Sequence, residues 1–306
     1  MSKVSKPFID RFSITTFVHR QLRSESTNIF YGYVSSGVLV NYKSNLKKGK
    51  GIDNYMGFDY EHTAQFISRS NPSKVATFQI QPQNKSEKSE NNFFRIDFNP
   101  SGFSTEEIDT LLKLCQDITL CQNHRTLFER SNLTRLDIAV DIYDVTLDQY
   151  LVRGKGFRNS KFEWDPITGI ALTHIIGIAR RRGIFYDKWI ESMMKNKILP
   201  QRVVRFEVMI RPYIPLIHIL SLSSPFTGFE FYENKIDPDE LDDIFMNTLI
   251  GQGLTLAYTG ARKRGKWYML NHLKKHRVDL LHIDGRWNRE LLLGMLKFLH
   301  IPKRFR

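Results

Sequence analysis

Thr134-Arg-Leu-Asp-Ile-Ala-Val-Asp-Ile-Tyr143 gathers the side chains of this chain best suited to chemistry. Read as a strand, it sends Arg135, Asp137, Ala139 and Asp141 to one side and Leu136, Ile138, Val140 and Ile142 to the other. Alternation this strict marks a half-buried strand whose apolar side packs on a core. The polar side then carries two carboxylates near enough to share one divalent cation. They would repel each other unless a cation or an arginine answered them. Val203-Val-Arg-Phe-Glu-Val-Met-Ile-Arg211 repeats the design, with Arg205, Glu207 and Arg211 opposed to Val204, Phe206, Val208 and Ile210. Between the two segments, Gly183-Ile-Phe-Tyr-Asp-Lys188 puts Tyr186 and Lys188 on a common face. Three carboxylates, a tyrosine and several cations are the parts of a site that breaks phosphodiesters.

A tyrosine that attacks phosphorus must shed a phenolic proton whose ordinary pKa is about 10. The non-bridging oxygens need neutralising, and the leaving 3′-oxygen needs stabilising. Asp137, Asp141 and Glu207 are the candidate ligands of a divalent cation, Mg²⁺ or Mn²⁺, that would polarise the phosphoryl oxygen. Lys188 and a nearby arginine are placed to offset transition-state charge, with Tyr186 as nucleophile. Structure alone offers a rival account: Asp137 pairs with Arg135 or Arg205 and Glu207 with Arg211, as cross-strand ion pairs worth little. Tyr143, Tyr213, Tyr232 and Tyr268 also lie near charge, and Tyr186 leads them by sharing a face with a lysine and following three arginines.

Lysine and arginine total 45 against 32 acids in 306 residues, a formal charge of +13. A balance this basic is the footprint of a polyanionic partner, usually nucleic acid. The cations come in clusters: Lys47, Lys48 and Lys50; Arg180, Arg181 and Arg182; Arg262, Lys263, Arg264 and Lys266 ahead of Trp267 and Tyr268; Lys274, Lys275, His276 and Arg277; and the final Lys303-Arg-Phe-Arg306. Cations interleaved with aromatics suit a groove that tracks phosphates and stacks unpaired bases. Cys115 and Cys121 form neither a disulfide framework nor a thiolate zinc site and read as core thiols of a reducing compartment. With no apolar leader and no run of the roughly 18 residues a membrane span needs, a soluble cytoplasmic protein is expected. His272 and His276 lack a third ligand, no His-apolar-His pair occurs, and no phosphate-binding P-loop is present.

The elements that must position these residues read as α+β, largely antiparallel strands with packed helices. Strands are expected at Phe12 to His19, Ile29 to Tyr42, Val75 to Ile80, Phe93 to Phe98, Ile170 to Ala179, Ile184 to Asp187 and the two acidic segments. Phe58 to Ile67 is ambiguous, 44–54 a basic loop, Gln83 to Asn92 a polar hairpin tip, Asn123 to Arg130 a loop, and Asp148 to Lys155 a short helix or loop. Ser104-Thr-Glu-Glu opens a helix with capping-box chemistry, its apolar face Ile108, Leu111, Leu112 and Cys115. Further helices are expected at Trp189 to Lys197, from Asp237, and at Trp287 to Leu299. Residues 1–224 form the expected core and 225–306 a more helical, basic portion. The strand-then-helix at 93–118 and the strands with a helix at 134–197 hint faintly at a duplicated unit.

At these residues the chain resembles the replication initiation factor family of rolling-circle plasmids and phages, the trans-acting initiators without paired metal histidines. Arg135-Leu-Asp-Ile-Ala-Val-Asp141 is similar to that family's Arg-x-Asp-x-Ala-x-Asp strand, Phe185-Tyr-Asp-Lys-Trp-Ile-Glu191 to its Tyr-x-Lys-x-x-Glu segment, and Arg205-Phe-Glu-Val-Met-Ile-Arg211 to its Arg-Phe-Glu strand. The resemblance spans residues 130–211; 1–90 and 225–306 show no match, and the triple arginine stands where the family more often has a Gly-Ser approach. It implies a relaxase-like nuclease core and origin-specific nicking of one DNA strand. A 5′-phosphotyrosine link would form, with religation after a host helicase and polymerase have displaced the strand. A divalent cation and often a homodimer are implied too. Carried over, the catalytic set is Tyr186, Lys188 and Glu191, and the metal set Asp137, Asp141 and Glu207. From the distribution of charge, Arg135, Arg180, Arg181, Arg182, Arg205, Arg211, Arg262 and Arg264, with Lys263, Lys266, Lys274 and Lys275, are the expected DNA contacts. A basic DNA-binding regulator that cuts nothing is the alternative, and a nucleic-acid-binding structural protein a more distant one.

Overall fold

The computed structural model describes residues 4–44, 60–82, 93–166, 168–178, 180–235, 243–260, 271 and 273–279. They group into two units. The amino-terminal unit holds residues 9–137 and 211–222, and the central unit residues 4–8, 138–210 and 223–279. The chain is α+β, with long antiparallel sheet and packed helices.

In the amino-terminal unit, β1 (Phe8–Thr16), which belongs to it from residue 9 onward, leads through α1 (Arg23–Ser35) to β2 (Val40–Ser44), β3 (Tyr60–Ile67), β4 (Val75–Pro82) and β5 (Phe94–Phe98). The spatial order is β2-β3-β4-β5-β1, each neighbour antiparallel. Alternation buries Phe12 and Ile14, Phe78 and Ile80, and Phe94, Ile96 and Phe98 on one side. Then come α2 (Thr105–Thr119) and α3 (His124–Glu129). The capping box at Ser104 forms as read, and α2 buries Ile108, Leu111, Leu112 and Cys115. Both cysteines are free and buried.

Glu107 does more than cap. Its carboxylate accepts from the Ser104 and Arg69 amides and from the Ser68 and Ser70 hydroxyls, tying α2 to the turn between β3 and β4. Burial would raise its pKa, but those hydrogen bonds outweigh burial and hold it down to about 2. A carboxyl depressed on folding adds stability above its ordinary pKa and loses it as pH falls toward the folded value. Glu107→Gln should therefore be less stable than the parent at neutral pH. The difference should shrink between pH 4.5 and 2, as followed by chemical denaturation across that range.

The central unit takes up β6 (Ser131–Tyr143) from residue 138 onward and continues with β7 (Tyr150–Gly154), β8 (Ser160–Trp164), β9 (Ala171–Ile178), β10 (Arg181–Asp187), α4 (Lys188–Met194) and β11 (Val203–Ile210). Its spatial order is β8-β9-β10-β11-β6. The two-residue β12 (Ile214–Pro215) belongs to the amino-terminal unit and pairs with Asn132 and Leu133 of β6. β13 (Phe229–Glu233) lies between β7 and the short β14 (Arg277–Val278) in a second sheet of the central unit. Helices α5 (Asp243–Gln252) and α6 (Leu254–Gly260) pack there through Leu249, Leu254 and Ala257 against Tyr232 and Leu273.

Three local expectations need correction. Ile29 to Tyr42 is not a strand: residues 23–35 are helical and only Val40–Ser44 is extended. The β-favouring Phe30, Tyr31 and Tyr33 are overruled by tertiary contact, since Phe30 is fully buried and Ser26 Oγ, also buried, donates to Ile118 O of α2. Tyr150–Gly154 is a strand, because pairing with β13 satisfies its backbone. His124–Glu129 is a short helix, capped by the Asn123 side chain on the Thr126 amide. The ambiguous segment before Ile67 is β3. The hairpin tip at 83–92, most of the basic loop and the helix at Trp287 to Leu299 lie outside the described residues.

Candidate active site

Three strands of the central unit carry the site, and packing on their other face orients them. Phe185 and Phe206 are fully buried, and Phe206 sits in a cluster of rings from Phe226, Phe229 and Phe231 at 5.0 to 5.8 Å. Gly183 is the closest point of that packing: a Cβ there would lie 2.6 Å from the Phe229 ring. With the even residues of β11 and the odd residues of β10 committed to aromatic packing, Tyr186, Arg205 and Glu207 are sent to the opposite face.

Register completes the arrangement. Tyr186 stands directly across from Arg205, and Ile184 across from Glu207. On its other side Tyr186 is opposite Thr173 of β9. Arg205 donates through Nε and Nη2 to Asp141, at 2.7 and 3.0 Å, with its guanidinium 4.9 Å from the Phe8 ring. Both partners are largely shielded from solvent, at 12% and 16% exposure. Lys188 opens α4, its Nζ 5.6 Å from the centre of the Tyr186 ring and 2.5 Å from Glu191 Oε2. Glu191 also accepts from Lys195, and the two lysines hold its carboxyl below the usual range although burial opposes them. Tyr186 is half-buried and Glu207 buried. The central unit thus brings together Tyr186, Lys188, Glu191, Arg205, Asp141 and Glu207.

Asp137 belongs to the amino-terminal unit, where Arg135 grips it through Nε and Nη2 at 2.5 to 3.0 Å. Burial pushes Asp137 up in pKa against the pull of Arg135 and Arg11. In the same unit Asp97 is held low, despite burial, by Arg11 at 2.6 Å and Arg95 at 2.9 Å. Asp97 and its two arginines were not singled out from the sequence. Their signal was present: Arg95-Ile-Asp97 in an alternating strand has the same form as Arg135-Leu-Asp137 and Arg205-Phe-Glu207.

Among the described residues no group of three or more His, Cys, Asp or Glu side chains is set to hold a metal ion. The ion pairs say why for two of the acids: Asp137 and Asp141 are each gripped by two nitrogens of a guanidinium and, as they stand, do not fit a divalent cation.

The remaining cations divide. Arg181 donates to the carbonyls of Pro225 and Thr227 and lies 5.5 Å from the Phe157 and Phe229 rings. Arg180, Lys274 and Lys275 are exposed, and Arg182 and Arg211 are partly exposed. Arg262, Lys263, Arg264, Lys266 and Tyr268 lie outside the described residues. Of the competing tyrosines, Tyr232 is buried with its hydroxyl on Glu230 at 2.8 Å, and burial with that bond raises its pKa to about 12. Glu230 also draws Arg153, Lys155 and Arg277 to 3.2, 2.9 and 3.7 Å; Lys155 and Arg277 remain more than half exposed. His174 is a core residue, stacked on Phe162 at 4.3 Å and bonded to Ser160, with burial lowering its pKa to about 3. No helix among the described residues is long and apolar enough to cross a membrane.

No family model matches the chain, and no curated relative does. Among solved structures it is similar to a rolling circle replication initiator protein from Geobacillus stearothermophilus, at 14% identity and a TM-score of 0.37 over 90% of this chain and 98% of that one. A TM-score that low adds no weight to either reading of the site.

Proposed function

We propose that this chain is a rolling-circle replication initiator that nicks and rejoins one DNA strand through Tyr186. The observation that carries this reading is the cross-strand pairing of Tyr186 with Arg205, beside Lys188 and in a basic chain. In the proposed step the phenolic oxygen bonds to phosphorus and the P–O3′ bond breaks. The phenol gives up its proton, and the departing 3′-oxygen takes one up. Arg205 and Lys188 offset the charge on the non-bridging oxygens, and Asp141 and Glu191 hold those two cations in place. Rejoining runs the same step backward, with no nucleotide consumed. The test is mass spectrometry of the protein–oligonucleotide adduct formed on supercoiled origin DNA: it should name Tyr186, and a link at another tyrosine, or none, would refute the assignment.

A second reading, a DNA-binding regulator that cuts nothing, draws on the ion pairs. Arg135 with Asp137 and Arg205 with Asp141 are what purely structural neutralisation of strand-face acids looks like. It expects salt-dependent binding without an adduct.

Both readings require phosphate contacts, and Lys155 and Arg277 are two exposed cations drawn to one carboxylate oxygen of Glu230. Replacing both with alanine should make the log K against log salt slope for single-stranded DNA about 1.4 less steep, at roughly 0.7 for each phosphate no longer neutralised. Fluorescence anisotropy over a salt series measures it.

A further inference from the structure

The two units use one plan twice. In the amino-terminal unit the strands run in chain order β1, β2, β3, β4, β5 and in space β2-β3-β4-β5-β1. In the central unit the chain order is β6, β8, β9, β10, β11 and the spatial order β8-β9-β10-β11-β6, β7 being given to the other sheet. Each is a meander of four strands whose last strand meets the strand that preceded it. The correspondence extends to side chains. Across the central unit a row runs Thr173, Tyr186, Arg205, with the buried Glu207 two residues after the arginine. Across the amino-terminal unit the register gives Thr63, Gln79, Arg95, with the buried Asp97 two residues after the arginine. All six residues of the two rows are partly exposed. Glutamine stands where the other unit has tyrosine.

The second row has a further member. Thr15 of β1 is across from Arg95; it is buried, and its Oγ1 has no hydrogen-bond partner among the described residues. A buried hydroxyl left unanswered costs stability unless something satisfies it. Arg95 itself leans on Ser13 and Asp97, at 3.0 and 2.9 Å, and Arg11 supplies a second cation to the same carboxylate. The face therefore offers an amide, a guanidinium, a hydroxyl and surplus positive charge, which are donors for an anion. It has no nucleophile at the position Tyr186 occupies in the other row, because a carboxamide does not attack phosphorus.

We infer that Thr63, Gln79, Arg95 and Thr15 form a second phosphodiester-binding row, which holds a stretch of single-stranded DNA without cutting it. The class of ligand rests on the reading of Tyr186 given above; the duplicated plan and the orphaned hydroxyl do not.

The experiment is equilibrium binding of a fluorescein-labelled oligothymidine, followed by anisotropy over a salt series, in a Tyr186→Phe background so that no chemistry intervenes. Gln79→Glu places a carboxylate across from Arg95, where a cross-strand ion pair preserves the fold and occupies the guanidinium. Affinity should drop roughly tenfold, and the salt slope should flatten by about 0.7. Thr15→Val should raise the melting temperature, by removing the unanswered hydroxyl, while weakening binding. Both variants binding as the parent does, with the same salt slope and intact melting transitions, would overturn the second row. Failure of the nicking assignment would show separately, as no adduct at Tyr186 when the parent protein is given origin DNA, with these binding effects unchanged.

Discussion

Tyr186→Phe is expected to abolish the covalent protein–DNA adduct while leaving DNA binding and the melting temperature nearly unchanged. The substitution removes one oxygen from a half-buried ring and keeps the shape that packs in β10. Everything that would hold the phosphate, Arg205 on Asp141 and Lys188 on Glu191, stays in place. What is lost is the atom proposed to form the bond to phosphorus, so the expected effect is complete, down to the background of uncatalysed cleavage. Denaturing gel electrophoresis with labelled origin DNA reads the adduct directly. Full adduct formation by the variant would assign the nucleophile elsewhere, and Tyr143 or Tyr213 would then be tested in turn. Loss of binding together with the adduct would mean that the hydroxyl holds DNA, and the assignment as nucleophile would lose its support.

The second large effect concerns folding. Arg135→Ala should destabilise the protein by about 3–5 kcal/mol, because it strands a buried carboxylate. Asp137 is 1% exposed and receives both of its closest hydrogen-bonding donors from this one guanidinium. Urea denaturation measures the loss, and Arg135→Met with Asp137→Asn should recover much of it, since the double variant leaves no unpaired charge. A cost below about 1 kcal/mol for the single change would put the pair among solvent-screened surface bridges.

The strands at the heart of the candidate site were legible because their alternation is strict. Leu136, Ile138, Val140 and Ile142 alternate with Arg135, Asp137 and Asp141, and Val204, Phe206 and Val208 with Arg205 and Glu207, which assigns faces; which residue pairs with Tyr186 is set by the register alone. The capping box at Ser104 was legible for a similar reason: two side chains three residues apart satisfy each other's backbone neighbours. α1 was not. Its aromatic, β-favouring middle is helical because α1 packs on α2, which accepts a hydrogen bond from Ser26, while Phe30 is fully buried, and no local pattern encodes a partner some 90 residues away. The paired role of the acids was legible only as one of two options. Whether an aspartate meets a metal or an arginine depends on which long side chain arrives first, and Arg135 and Arg205 both do. Gln79 was invisible, since a glutamine in a strand carries no signal until its register partner Arg95 is known.

Gly183 has a mechanical consequence. With the Phe229 ring pressed where a Cβ would be, and with β9 and β11 bonded along both edges, β10 has no slack in which to swing or slide. If Tyr186 acts as proposed, a nucleophile anchored there would not travel between substrates, and in a cycle of cutting and resealing the polynucleotide ends would do the moving, exchanging over a stationary hydroxyl like film past a fixed gate.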